Sequence, residues 1–308
     1  MGVPFRIVLH ADSERAAGAA AAAAFERIAQ LNAVMSDYED DSELTRLSRS
    51  SGSGQPVKVS GDLWRVLSRA RLLARQSGGA FDVTCGPLVQ LWRRARRQRE
   101  LPAPEKLAEA RKAVGHEKLL LDARGRSAKL LVPGMRLDLG AIAKGDAAGE
   151  ALSVLRSRGF TRALVAGGGD MAIGDPPPGR RGWVVELAAH DSAGAPPRQF
   201  VELANCGFAT SGDVFQHVEI GGRRYSHIVD PRTGVGLTDH SLVFVIARDA
   251  LTADSLSTAV SVLGSEDGLK LAAKWPGAEA RLVRRPRDVV GVSESRGFRR
   301  HVVLPPAR

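Results

Sequence analysis

The chain is poor in several things that would have assigned it a class at once. It has two cysteines in 308 residues. Cys85 and Cys206 stand at no spacing that makes a metal knuckle or a disulfide framework. Aromatic residues are only 5% of the chain, too few to offer bases a stacking platform, so nucleic acid is not the expected partner despite a formal net charge of +10. The run Arg93-Arg94-Ala95-Arg96-Arg97-Gln98-Arg99 is instead expected to be a solvated helix face whose positive field helps draw in an anion. No apolar run approaches the ~18 residues of a membrane span. The Ala-rich stretch Ala16–Phe25 lies between Asp12-Ser13-Glu14-Arg15 and Glu26-Arg27, which marks a surface-amphipathic helix rather than a signal-peptide core.

What remains is an ordinary globular composition, 44% hydrophobic and 25% charged, with ample chain for a core. Phe5, Ile7 and Leu9 alternate with their neighbours as in a half-buried first strand. Helices are predicted over about 11–36, 63–76 and 105–114, the second closed by Gly78-Gly79. Ser48 to Gln55 is a loop by composition. Leu119–Leu121 and Lys129–Val132 flank Ala123-Arg124-Gly125-Arg126 as a hairpin. A strand ending at Leu139 is predicted to feed a helix over 143–158. Leu164-Val165-Ala166 should be a buried strand opening onto Gly167-Gly168-Gly169-Asp170. Short strands follow up to Ser241–Ala247, then helices over about 250–263 and 266–274, then strands around Leu282, Val289 and Val302. Strict βαβ alternation and internal repeats are missing, so a doubly wound sheet is not expected. The expectation is one compact α+β domain over 1–308, with mixed and antiparallel sheets and two lobes around a cleft.

The densest chemistry runs from Ala209 to Gly264. Asp254 and Thr258 stand four apart in a helical pattern, so both oxygens project from one face. A carboxylate with a hydroxyl is a hard donor set suited to Mg²⁺, which completes its shell with water and phosphate. Ala209-Thr210-Ser211-Gly212 and Ser226-His227-Ile228-Val229-Asp230-Pro231-Arg232-Thr233-Gly234 read as turns that present backbone N–H groups to an anion. In Asp138-Leu139-Gly140-Ala141-Ile142-Ala143-Lys144-Gly145 a helix N-terminus plus a lysine favours a phosphate. His227 is the titratable group best suited to accept a proton near neutral pH, although a lone strand histidine is by default structural. Asp170 reads equally as a turn-former or an active-site carboxylate.

These blocks, with Met35-Ser36-Asp37-Tyr38, Ser42-Glu43-Leu44, Phe81-Asp82-Val83-Thr84-Cys85-Gly86-Pro87-Leu88-Val89, Leu91-Trp92 and Gly168-Gly169-Asp170, stand in the order found in the ApbE family, the FAD:protein FMN transferases. The chain resembles that family from Met1 to about Val290. The resemblance implies an enzyme that cleaves FAD, attaches FMN through a phosphoester to a Thr or Ser of an acceptor protein, and releases AMP with Mg²⁺. It further implies that Met35, Ala80, Phe81, Asp82, Asp138, Lys144 and Ile228 contact FAD. The Ala141 carbonyl, Asp254 and Thr258 would bind the metal, and Asp254 and His227 would be catalytic. Ser257 is either a further ligand or a helix-surface serine. The chain departs from the common pattern at Ala141, where Gly is frequent, and at Asp146, where an aromatic is frequent; neither removes a side-chain ligand.

Two other readings stay open at this point: an FAD pyrophosphatase that releases free FMN and AMP, and a non-catalytic FAD-binding protein. The family is usually exported, often with a lipid anchor. This sequence opens inside the first predicted strand, so either an export signal lies outside it or this member works in the cytoplasm.

Overall fold

Ser241–Ala247 is buried at every position, as expected of a continuous apolar run at the centre of a sheet covered on both faces. A computed structural model describes residues 2–214, 216–286 and 289–305; Met1, Phe215, Arg287, Asp288 and 306–308 lie outside the described residues. The fold is α+β, with helices on antiparallel sheets, and its packing divides it into two units.

One unit comprises Gly2–Gln30, Ile142–Ser211 and Ser241–Arg308. Its seven-stranded sheet has the order β1-β5-β6-β9-β12-β13-β14: β1 Phe5–Leu9, β5 Ala163–Gly167, β6 Asp170–Ile173, β9 Cys206–Gly212, β12 Ser241–Ala247, β13 Glu279–Arg284 and β14 Gly291–Glu294. Strands β5 and β6 form a tight hairpin in which Gly167 faces Asp170. The two turn residues, Gly168 and Gly169, have φ of 61° and 101°, the left-handed conformations a two-residue hairpin loop requires. A second antiparallel sheet, β15-β8-β7, is built from β7 Trp183–Glu186, β8 Phe200–Leu203 and β15 Val302–Val303.

Helix α6 (Ala143–Ser157) and helix α7 (Ala250–Ala273) pack on the large sheet. Ala20, Ala24 and Ile28, from helix α1 (Glu14–Met35), meet Ala148, Ala151, Leu152 and Leu155 over Ala163, Val165 and Ala172. Alanine on both sides lets the backbones approach closely. Helix α7 carries the predicted break at Gly264, where φ 79° and ψ −168° leave the helical region.

The other unit comprises Leu31–Ala141 and Gly212–His240. It holds α2 Glu43–Arg49, α3 Gly61–Gln76, α4 Gly86–Gln98, α5 Pro104–Lys112, the hairpin of β10 His217–Ile220 and β11 Arg223–Ser226, and a small sheet of β2 Val57–Lys58, β3 Leu119–Asp122 and β4 Ser127–Leu130. Ser42 and Ser60 cap α2 and α3, accepting from the N–H groups of Thr45 and Leu63. Leu88, Trp92 and Ala95 of α4 pack on Val218, Tyr225 and Val229.

Helix α2 begins one residue after its serine cap, where composition shows no periodic stripe. In place of a strand ending at Leu139 there is a single parallel bridge, Cys85 with Arg136. The approach to Asp138 is held instead by scattered bonds, such as Asp138 N–H to the Val83 carbonyl at 2.8 Å.

Candidate functional site

The close packing of α6 on α7 creates the site's most constrained contact. A Cβ on Gly145 would lie 2.2 Å from the Ala250 carbonyl oxygen and 2.7 Å from Asp254 Cβ, so only glycine fits. At that approach the Gly145 N–H donates to Asp254 Oδ2 at 2.8 Å. Asp254 thereby supplies the anion at the N-terminus of α6, where the sequence had suggested a phosphate. Asp249 caps α7, accepting from Thr252 N–H at 2.7 Å and Thr252 Oγ1 at 2.9 Å, and so sets the phase that turns Asp254 toward α6.

Lys144 lies next to Gly145 and carries the local positive charge. Its Nζ is 3.1 Å from Asp170 Oδ2 and 3.3 Å from Asp254 Oδ1. Two carboxylates, each about 1% exposed, therefore share one ammonium. Neither Asp170 oxygen has a well-aligned hydrogen bond in the structure, although the ammonium stands within ion-pair distance. Burial, and then the charge of Asp254, push the Asp170 carboxyl up to about 7, against the pull of Lys144. Burial works against the Lys144 ammonium, but the two carboxylates outweigh it and hold its pKa above the ordinary lysine value.

Hydroxyl oxygens surround the same turn of α7. Ser211 Oγ, at the end of β9, lies 2.6 Å from Ser257 Oγ and 3.3 Å from Thr258 Oγ1. Ser257 is fully buried and donates to the Asp254 carbonyl at 2.8 Å, so its proton is committed and Ser211 donates to it. The helix-surface reading of Ser257 is thus excluded. Ala209–Gly212 is the last part of β9 rather than a turn. Two buried carboxylates with excess negative charge, flanked by hydroxyl oxygens, form the hard oxygen donor set that a divalent cation such as Mg²⁺ takes.

The remaining predicted residues belong to the other unit, Ala141 being its last residue before Ile142. Met35, Ala80 and Phe81 are buried, with Phe81 N–H donating to Ser77 Oγ at 3.1 Å. Asp82 Oδ1 accepts from Thr84 N–H at 2.8 Å and Thr84 Oγ1 at 2.7 Å, yet burial dominates and raises its pKa. Asp138 accepts from Gly140 N–H at 2.8 Å and pairs with Arg93 at 2.9 Å. Burial and the neighbouring Asp37 raise the Asp138 carboxyl above its usual range. Arg93 also reaches Asp37 at 2.5 Å, so this member of the arginine run is half-buried and paired rather than solvated. Its sign in the sequence is position: among the arginines of α4 it directly follows the buried Trp92.

His227 follows the end of β11 and is exposed. Its backbone N–H and its Nδ1 both meet the Gln216 carbonyl, at 3.1 Å and 3.0 Å. A carbonyl only accepts, so Nδ1 carries the proton and Nε2 is the lone-pair nitrogen of the neutral ring. The neighbouring Ile228 is buried. The turn beyond it points several of its amides inward. Asp230 takes them, its backbone oxygen accepting from Gly234 N–H at 2.8 Å and its Oδ1 from Arg232 N–H at 2.9 Å.

The chain as a whole is similar to several known proteins. An FAD:protein FMN transferase of Haemophilus influenzae is 34% identical over 86% of this chain and 78% of its own. One from Treponema pallidum is 34% identical over 87% and 78%. Among solved structures, flavin transferase ApbE from Vibrio cholerae superimposes with a TM-score of 0.82 at 29% identity, over 98% of this chain and 96% of its own. The apbe protein of Thermotoga maritima gives 0.85 at 29% identity, over 97% and 96%. The ApbE family model matches residues 1–282, and the chain belongs to the ApbE family.

Proposed function

We propose that this protein is an FAD:protein FMN transferase: it moves FMN from FAD to a Thr or Ser hydroxyl of an acceptor protein and releases AMP. The observation that carries the reading is the buried cluster of Lys144, Asp170 and Asp254 beside the hydroxyls of Ser211 and Thr258. Such a cluster suits a pyrophosphate held with a divalent cation. Asp254 and Thr258 would hold Mg²⁺ with the Ala141 carbonyl, and Ser257 would brace Asp254's turn of the helix. Bound there, the ion would supply positive charge against the pyrophosphate oxygens.

The chain's own groups do the rest. Met35, Ala80, Phe81, Asp82, Asp138 and Ile228 would orient FAD, and Lys144 would add charge near the phosphates. The acceptor's oxygen forms a bond to the FMN phosphorus as the bond from that phosphorus to the AMP oxygen breaks. The hydroxyl proton passes to His227 Nε2, and AMP departs with the bonding electrons. Positioning and electrostatics supply most of the rate.

The test is to incubate the pure protein with FAD, Mg²⁺ and a candidate acceptor, then to weigh the acceptor and assay AMP. A mass gain of one FMN with stoichiometric AMP is the expected result. AMP with free FMN and an unmodified acceptor would point to hydrolysis, and FAD binding without AMP would overturn catalysis altogether.

A further inference from the structure

We propose that Lys144 and a divalent cation compete for Oδ1 of Asp254, and that Asp170 is the carboxylate to which the ammonium withdraws when the cation wins. The proposal rests on Asp254 being the metal ligand assigned above. Oδ2 of Asp254 already accepts the Gly145 N–H at 2.8 Å and also lies 3.4 Å from Lys144 Nζ, so Oδ1 is the less engaged oxygen for a cation. That oxygen faces Lys144 Nζ at 3.3 Å. The same Nζ is already 3.1 Å from Asp170 Oδ2, and both Asp170 oxygens are buried without a well-aligned hydrogen bond in the structure. The ammonium thus already touches a second anionic seat, which the Thr210 backbone N–H also faces.

Charge balance points the same way. With both carboxylates ionised, two against one ammonium leave a net charge of about −1, an expensive state in a low-dielectric site that a proton or a cation relieves. A divalent cation on Asp254, with Lys144 kept on Asp170, changes that to about +1, which suits the pyrophosphate of FAD. Asp170 is therefore a positioning residue. It keeps the lysine charge in the site while freeing the metal's ligand, and it makes binding of metal and of pyrophosphate mutually reinforcing.

The experiment uses Mn²⁺ alone, without FAD, on chelator-stripped protein, with free Mn²⁺ counted by electron paramagnetic resonance and Mg²⁺ added as competitor. Lys144→Met should bind Mn²⁺ at least about tenfold more tightly than the parent, and Lys144→Gln, which keeps a donor for both carboxylates, should do so in a milder form. Asp170→Asn should bind at least about tenfold more weakly, and that loss should shrink in the double variant, because no ammonium is left to redirect. Unchanged or weaker Mn²⁺ binding by both Lys144 variants, with Asp254→Asn losing the ion, would overturn the competition and leave the metal site standing. Parental affinity in Asp254→Asn would instead overturn the metal assignment itself.

Discussion

Replacing Asp170 with Asn should change how stability depends on pH. The Asp170 carboxyl is pushed from an ordinary value of 3.8 to about 7, chiefly by burial and secondly by Asp254. The folded state therefore binds more protons than the unfolded one between those values, so this group's contribution to stability falls as pH rises through the window. At ~1.36 kcal/mol per pH unit the full window is worth roughly 4 kcal/mol, about 3 of it between pH 5 and 8. Asn cannot titrate. In urea unfolding with chelator present, the stability of Asp170→Asn relative to the parent should rise by about 3 kcal/mol from pH 5 to pH 8. Added Mg²⁺ should flatten the parent's curve, because a bound cation favours the ionised carboxylate. Parallel curves for the two proteins would mean that Asp170 is ionised throughout and that the buried charge is balanced by something other than a proton.

Asp254→Ala should stop AMP release, by at least roughly 10³-fold, since it removes the carboxylate that would hold the metal. It should also cost about 1–3 kcal/mol in unfolding free energy by orphaning the Gly145 N–H. Gly145→Ala forces a Cβ into the Ala250 carbonyl and should cost about 1–3 kcal/mol or more, with weaker Mn²⁺ binding as Asp254 is pushed aside. His227→Asn should slow single-turnover transfer by roughly 10²–10⁴-fold with FAD affinity nearly unchanged; a normal rate with a lowered melting temperature would make the histidine structural.

Much of this was legible in the sequence because the chemistry demands particular atoms at particular spacings. Asp254 and Thr258 sit one helical turn apart, and the glycines before Asp170 announce a turn with left-handed backbone. The break at Gly264 could be read from a glycine inside a helical pattern. What escaped was pairing at a distance. Nothing local to Arg93 says that Asp37, 56 residues away, neutralises it. Equally, a Gly- and Thr-rich segment reads as an anion trap whether the anion is a ligand or the chain's own Asp230 or Asp254. The strand predicted before Leu139 failed for a related reason. Its residues are apolar enough to extend, but no neighbouring strand offers a ladder, and a single bridge forms instead.

The close approach of α6 and α7 has a kinetic side. Gly145 and Asp254 are 109 residues apart, and Lys144 and Asp254 are 110 apart, so the cluster closes one of the longer loops in the fold. Such contacts bring their reward only after the entropy of loop closure has been met, which places them late in folding. A nascent or partly unfolded chain would carry every one of these side chains and still have no cluster. A chain able to hold the metal is then one in which α6 and α7 have already docked.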